Sequence, residues 1–423
     1  MSRLSTQYEA TCGPGTPVPD LAVTQTSPVA PDDRAVPLYT AGFAADPARW
    51  FREWEGEFGS LVPVELAPGV PAMLVLGHRE ALKILHNPDT FPADPSGWQR
   101  NVPGNCPVRP LLEAGPTPAR TAGVEHARYR GAHVAALARV DQHMLQAEVE
   151  RYSVALINAF WAVGSAELRA QFAYPLVFET VNRLVGVSGD ASTALASVLA
   201  ALTDVRDVDA AAAGRRLLDS VLFKVVQGKR AAPGEDVASW LLAHEAGLSE
   251  AEVVAQLALI YEMAVEPTTA LILNTIRLIL TDDRFAAALG GSLSTREALD
   301  EALFTDPPLM NWCVRYPHVP QLMDNGVWLP AHQPVIVSLA DWHSGPAAQA
   351  DRRGNRSHLA FGAGIHGCPA DGIGLLIATI ALDQLMDAVP DMRPAGQLAW
   401  QASPFHRSLT ALPVAFEPVR SLP

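Results

Sequence analysis

One cysteine, two histidines and three glycines crowd into the stretch His358-Leu-Ala-Phe361-Gly362-Ala-Gly364-Ile-His366-Gly-Cys368, which leads into the apolar run Gly374–Leu382. A thiolate just before a helix gains from the partial positive charge of the helix N-terminus. Glycines at 362, 364 and 367 let the backbone press against a flat object with no side chain between. The combination suits a cysteine that ligates a metal inside a planar macrocycle. Other chemistries compete for the same residues. Gly362-x-Gly364-x-x-Gly367 also fits a dinucleotide fingerprint, which needs a βαβ unit and an acid about 20 residues on. Asp387 has that spacing but falls on the helix, and only 55 of the 423 residues follow Cys368. A zinc site from His358, His366 and Cys368 would lack any CxxC or HExxH spacing. A buried, inert thiol is the ordinary state of a lone cysteine.

The elements that must hold this loop are mostly helical. Asp46–Glu55 reads as a first helix, followed by short strands near Leu61–Glu65 and Ala72–Leu76 and a helix after Gly77. A Pro/Gly-rich segment over 91–124 has the length of a lid or binding loop. Helical patterns then run from His126 to about Phe304, and β content returns near 326–330, 334–339 and 409–416. The fold class is therefore mainly α with small β-sheets. The longest helix starts at the capping box Ser249-Glu-Ala-Glu252 and continues to about Leu280. Such a helix spans roughly 48 Å, enough to cross the molecule. Pro267 interrupts its hydrogen bonding and should kink it, opening a polar notch beside Thr268.

Composition narrows the function classes. The chain is 49% hydrophobic and 18% charged, with a net charge of −14 that disfavours nucleic acid and anionic membrane as partners. No apolar run reaches the roughly 18 residues of a membrane span. No signal-peptide pattern opens the chain, so a cytoplasmic location is the default expectation. Residues 1–36, rich in Pro, Thr, Ser and Asp, read as a flexible lead-in, and 37–423 as a single domain. Four cysteines are too sparse for a disulfide framework.

The glycine-bent loop resembles the haem-binding loop of the cytochrome P-450 superfamily, Phe-Gly-x-Gly-x-His-x-Cys, with Phe361, Gly362, Gly364, His366 and Cys368 on its pattern. The resemblance extends over about residues 36–423. It implies a triangular helical prism with the long central helix over haem b, Cys368 as axial iron ligand and His366 at a propionate. Met263-Ala264-Val265-Glu266-Pro267-Thr268-Thr269 resembles the oxygen-binding stretch of the family's central helix. That likeness places Thr268 on the threonine that helps deliver protons and makes Glu266 the nearest acid. Gly123-Val-Glu-His126-Ala-Arg128-Tyr-Arg130 resembles the helix whose His and Arg clamp a propionate. His126 and Arg130 are i and i+4 and share a face. Arg315 falls where the family has a further propionate arginine.

The chain also departs from the pattern. Val265 replaces a glycine and Pro267 the acid before the threonine, while Glu266 is turned about 100° away around the helix. In Ala298-Leu-Asp-Glu301-Ala-Leu-Phe304, Phe304 replaces the arginine of the Glu-x-x-Arg signature. The segment from Trp342 to Arg356 is short for the family's meander. Glu301 is then expected to find Arg352, Arg353 or Arg356, or solvent. Pro369-Ala370 replaces the common Leu-Gly.

The resemblance implies a monooxygenase of bacterial secondary metabolism acting on a small apolar substrate, with a ferredoxin and a ferredoxin reductase as electron donors. The 91–124 loop, the 186–215 region, Ala264 and Phe405 are the expected pocket lining. Two rival expectations follow from the departures: haem chemistry that is peroxide-driven or redox-neutral, and a haem-poor partner protein for another biosynthetic enzyme.

Overall fold

A computed structural model of the chain describes residues 35–202, 208–282, 294–340 and 354–418. Residues 1–34 of the expected lead-in, part of the 186–215 region, and Arg352 and Arg353 lie outside them. β1 (Val36–Pro37) opens the described part by pairing in parallel with Val64 and Glu65 of β2 (Leu61–Ala67). Between them, α1 (Pro47–Phe58) begins where Asp46 Oδ1 accepts the Arg49 N–H at 3.1 Å, a side-chain cap on an otherwise orphaned donor. Its buried Phe51 and Trp54 pack with Phe43 at ring distances of 5.5 and 5.6 Å, closing one face of the sheet.

β2 pairs antiparallel with β3 (Val70–Val75), and both lie near the expected positions. β3 runs parallel to β5 (Val335–Ser338), and β4 (Asn311–Arg315) closes the sheet antiparallel to β5, giving the order β1-β2-β3-β5-β4. The β4–β5 register shifts between Trp312 and Arg315, and Cys313 adopts φ 54°, an uncommon left-handed backbone for a residue with a Cβ. That bulge hides β4 from a search for alternating apolar residues. α2 (His78–Leu85) follows β3 and buries Ala81, Ile84 and Leu85.

A three-stranded sheet (Ser165–Glu167, Pro413–Ala415, Arg393–Pro394) and a two-stranded one (Gln321–Leu322, Trp328–Leu329) complete the β content, and the rest of the described chain is mainly helical, as the sequence pattern predicts. α3 (Gly123–Leu137), α4 (Gln142–Phe160), α5 (Tyr174–Val185) and α6 (Val208–Ala231) surround α7, the central helix Glu250–Thr281. α7 has the expected capping box, with the Ser249 hydroxyl accepting the Glu252 N–H and the Glu252 carboxylate accepting the Ser249 N–H. It contains Pro267 and is helical throughout its 32 residues. By length and composition α7 could cross a membrane, contrary to the sequence expectation, but 67% of its most apolar window is enclosed by the protein. It packs on α5, α6, α8 (Thr295–Thr305) and α9 (Asp371–Ala388). Burying an apolar helix on all sides removes about 1.5–3 kcal/mol of hydrocarbon exposure per large side chain, so α7 anchors the whole helical layer.

Two charged links fix the orientation of α3 against α7. Arg128 donates bidentately to Glu252, at 2.6 and 3.0 Å, and Tyr129 donates to the same carboxylate at 2.8 Å.

Candidate functional site

The Cys368 loop is shaped by two glycines that no other residue could replace without strain. Gly362 has φ 68°, and a Cβ there would meet the Cys313 sulfur at 3.0 Å. Gly364 has φ 69°, and its Cβ would collide with the Leu85 carbonyl oxygen at 2.3 Å, because the loop seats directly on the end of α2. The Gly362 N–H closes a turn on the Leu359 carbonyl at 2.7 Å, and the Cys368 N–H donates to the Phe361 carbonyl at 2.8 Å. Cys368 therefore hangs from the far end of a tight, internally bonded hook.

Its sulfur lines a cavity of about 250 Å³ bounded by α3, α5, α7, the loop itself and β4. Cys368 is exposed to this cavity. Burial pushes the thiol up, the Ala370 N–H donates to sulfur at 3.4 Å and opposes that, Asp371 adds to it, and Arg130 opposes it. The sequence expectation that the helix N-terminus stabilises a thiolate is thus not met by the protein alone. α9 starts only at Asp371, and burial dominates. A cation bound to the sulfur would reverse that balance.

Around the loop stand the cationic residues read from the sequence. The His126 and His366 rings lie 4.2 Å apart, tilted by 50°. His366 Nδ1 bonds the Pro118 carbonyl at 3.0 Å, tying the loop to the 91–124 segment. A carbonyl can only accept, so Nδ1 carries the proton and Nε2 of the neutral ring is bare. Burial, then Arg315 and His126, push His366 down to about 3. Burial, Arg130 and Arg315 lower His126 as well. Arg130 is lowered by desolvation, and so is Arg315, which is only 2% exposed.

Four buried atoms of this group have no hydrogen-bond partner: His126 Nε2, His366 Nε2, Arg315 Nε and Arg315 Nη2. Unsatisfied buried polar groups cost about 1–3 kcal/mol each, and more for charged ones. Two guanidiniums with no carboxylate partner recorded among the described residues, beside two imidazoles whose Nε2 atoms are bare, describe a receptor for a dianion. A haem fits this donor set, with carboxylates for Arg315, Arg130 and the two histidines and a metal for Cys368.

The other wall of the cavity is α7. Ala264, Pro267, Thr268 and Leu271 line it together with Leu259, Ile260 and Met263. Thr268 is 8% exposed, and its neighbour Thr269 makes the back-bond to the helix, donating to the Val265 carbonyl at 2.7 Å. Glu266 is not brought to this wall. Its carboxylate accepts from Arg169 Nη2 and from Ser408 Oγ, both at 2.7 Å, on the outer side of the helix. Phe405, expected in the lining, is fully buried against Trp312 with ring centroids 5.2 Å apart. From the 186–215 region no described residue reaches the cavity; Val181, Leu184 and Val185 of α5 do so instead.

Sequence reasoning passed over three residues here. Cys313 lines the cavity from the β4 bulge. His133 also lines it, and its Nδ1 bonds Gln256 Oε1 of α7 at 3.1 Å, while Gln256 donates to the Pro116 carbonyl at 2.7 Å. The signal for His133 was available, since 126, 130, 133 and 137 recur at helical spacing on one face. Arg120 of the 91–124 loop donates to Glu262 of α7 at 3.0 Å, and Arg215 of α6 pairs with the same carboxylate.

No protein-family model matches the chain. Individual proteins do. It is 29% identical over 395 residues to cytochrome P450 monooxygenase PikC of Streptomyces venezuelae, covering 88% of this chain and 91% of that one. Over 316 residues it is 29% identical to cytochrome P450 107B1 of Saccharopolyspora erythraea, covering 71% and 78%. Among solved structures, CYP154C4 of a Streptomyces species superimposes with a TM-score of 0.82 at 25% identity, over 91% of this chain and 98% of that chain. In sequence and in fold the chain is similar to the cytochrome P450 monooxygenases, and like them it is an oxidoreductase whose cofactor is haem b.

Proposed function

We propose that the protein inserts one oxygen atom of O₂ into a small apolar molecule of bacterial secondary metabolism, with Cys368 as the iron ligand. The observation that carries this reading is the grouping of four unpartnered buried nitrogen atoms, on His126, His366 and Arg315, around the Cys368 loop, with His366 and Arg130 lining the same cavity as the Cys368 sulfur. When bound, haem would supply the activation of O₂, tuned by the Cys368 thiolate that would hold its iron. The protein's own residues do the rest. Arg315, Arg130, His126 and His366 hold the carboxylates; an anion there raises the two histidines and converts their bare Nε2 atoms into donors. Phe361 and Gly362 give the hook its shape against the ring. Ala264 and the leucines of α7 exclude water and offer hydrocarbon to the substrate, which fits a polar lining restricted to a few groups. Thr268 is the hydroxyl on that wall and is assigned to proton delivery, while Glu266, held by Arg169 and Ser408, is assigned to anchoring α7. A ferredoxin and its reductase are the electron donors this reading requires.

The diversion of Glu266 favours one second reading, in which turnover needs no proton relay because the oxygen arrives as peroxide or the reaction is redox-neutral. The test is product formation from a panel of apolar metabolites with O₂, ferredoxin, ferredoxin reductase and NADPH, against the same mixture with peroxide alone. Electron- and O₂-dependent hydroxylation is expected. Turnover at an equal rate without electron donors would overturn the monooxygenase assignment.

A further inference from the structure

Position 304 carries a phenylalanine where the family resemblance called for an arginine, and the structure shows what that ring touches. Asp300 and Phe304 are four residues apart on α8 and so share a face. Asp300 is buried and accepts from Arg296 Nε at 2.9 Å and from Arg356 Nε at 3.3 Å. Arg356 thus meets Asp300, not Glu301, as the partner on α8 to which it is bonded. One turn on, Phe304 is 4% exposed and meets His358 edge to face, with centroids 5.4 Å apart and planes at 82°. His358 in turn lies 5.8 Å from Phe361 at 56°. The Phe361 carbonyl then accepts the Cys368 N–H at 2.8 Å. An unbroken line of contacts runs from α8 to the amide of the cysteine. His358 Nδ1 is buried with no hydrogen-bond partner, so this imidazole is held by its ring surfaces and not by that nitrogen.

We propose that the Phe304–His358–Phe361 ring column, braced by the Asp300–Arg356 pair, is the device that positions the Cys368 hook in this chain. It rests on the assignment of Cys368 as iron ligand. Edge-to-face pairs have a preferred geometry, so each ring limits the tilt of the next and the last one fixes the carbonyl that orients Cys368. Phe304 and His358 touch neither cofactor nor substrate in this account; both are positioning residues.

The test uses haem-loaded protein, reduced under carbon monoxide, and follows the thiolate-type Soret band as it converts to the thiol-type band. Phe304→Leu and His358→Ala are expected to convert roughly two- to tenfold faster than the wild type. His358→Phe, which restores a ring without nitrogen, should return the rate to within about twofold of the wild type. Conversion of both Phe304→Leu and His358→Ala at the wild-type rate would overturn the column. So would a His358→Phe variant as fast as His358→Ala, because the nitrogen and not the ring would then matter. Melting of the haem-free variants separates general destabilisation from a loose hook, and if Phe304→Leu does not fold, the His358 pair decides alone. A wild type that never shows the thiolate band sinks the ligand assignment itself, a distinct result that overturns the column with it.

Discussion

The two walls of the cavity are built on opposite principles. The loop side collects polar groups that the protein leaves unsatisfied: His126 Nε2, His366 Nε2 and two Arg315 nitrogens, of which His366, together with Arg130, lines the cavity itself. On the α7 side, the polar groups of the helix that lie off the cavity lining are satisfied within the protein. Thr269 bonds back to Val265, Gln256 holds His133 and Pro116, and Glu266 is sequestered by Arg169 and Ser408. Buried guanidiniums without a carboxylate partner, with bare imidazole nitrogens beside them, are costly unless something anionic arrives, so the first side is a receptor and the second a lining. The contrast teaches that cofactor retention and substrate chemistry can be perturbed separately in this molecule.

Cys368→Ala tests the receptor most severely. The thiolate–CO band should vanish altogether, while the apoprotein melts within a few degrees of the wild type, since the sulfur is packed against a cavity and not a core. A retained thiolate band in this variant would remove Cys368 from the site and make Cys313, the other cavity thiol, the candidate ligand.

The lining is tested by the pair Thr268→Ala and Glu266→Gln. A positioned proton donor contributes about 10²-fold or more, so Thr268→Ala should cut product per electron pair on the order of 100-fold. Glu266→Gln should leave product yield within about twofold of the wild type and lower stability by about 1–2 kcal/mol, through the weakened Arg169 bond. Equal losses of product from both variants would place Glu266 back in the reaction and erase the distinction between inner and outer faces of α7.

Arg315→Met probes one cation of the receptor. A hydrogen bond to a charged group is worth about 1.5–3 kcal/mol, which predicts haem retention roughly 10- to 100-fold weaker, measured by transfer to apomyoglobin. Stability of the haem-free protein should rise or stay level, because a buried unpaired charge has been removed. A less stable apoprotein would mean that Arg315 serves the fold before the cofactor.

Much of this was legible from residue spacing, because spacing is what local structure obeys. The capping box at Ser249 and the shared face of His126 and Arg130 needed only helical geometry. What escaped notice depends on contacts made across the fold. Asp300 bonds Arg356 although Glu301 beside it is buried as well, since one residue along a helix turns a side chain by about 100° and only packing decides which acid meets which cation. Glu266 has its destination in Arg169 and Ser408, 97 and 142 residues away in sequence. Cys313 reaches the cavity through a bulge with a left-handed residue, and no side-chain pattern announces such a backbone.

His133 sits at the seam between the two walls and gives the finest test of the contrast. It shares the α3 face of His126 and Arg130, yet its Nδ1 is satisfied by Gln256, so it belongs to the lining by chemistry and to the receptor by position. Burial pushes it down to about 4 from 6.5, with the Gln256 bond opposing and Arg130 adding to the effect. The folded protein therefore holds this ring neutral where the unfolded chain would protonate it. The resulting stability is present in full above pH 6.5 and is lost as pH falls toward 4, amounting to about 3 kcal/mol. His133→Asn, which cannot titrate, should flatten the fall in melting temperature over that window. If the group belongs to the lining, the slope that His133 contributes is the same with and without haem. A slope that disappears only when haem binds would move His133 to the receptor, as a fifth group waiting for the cofactor.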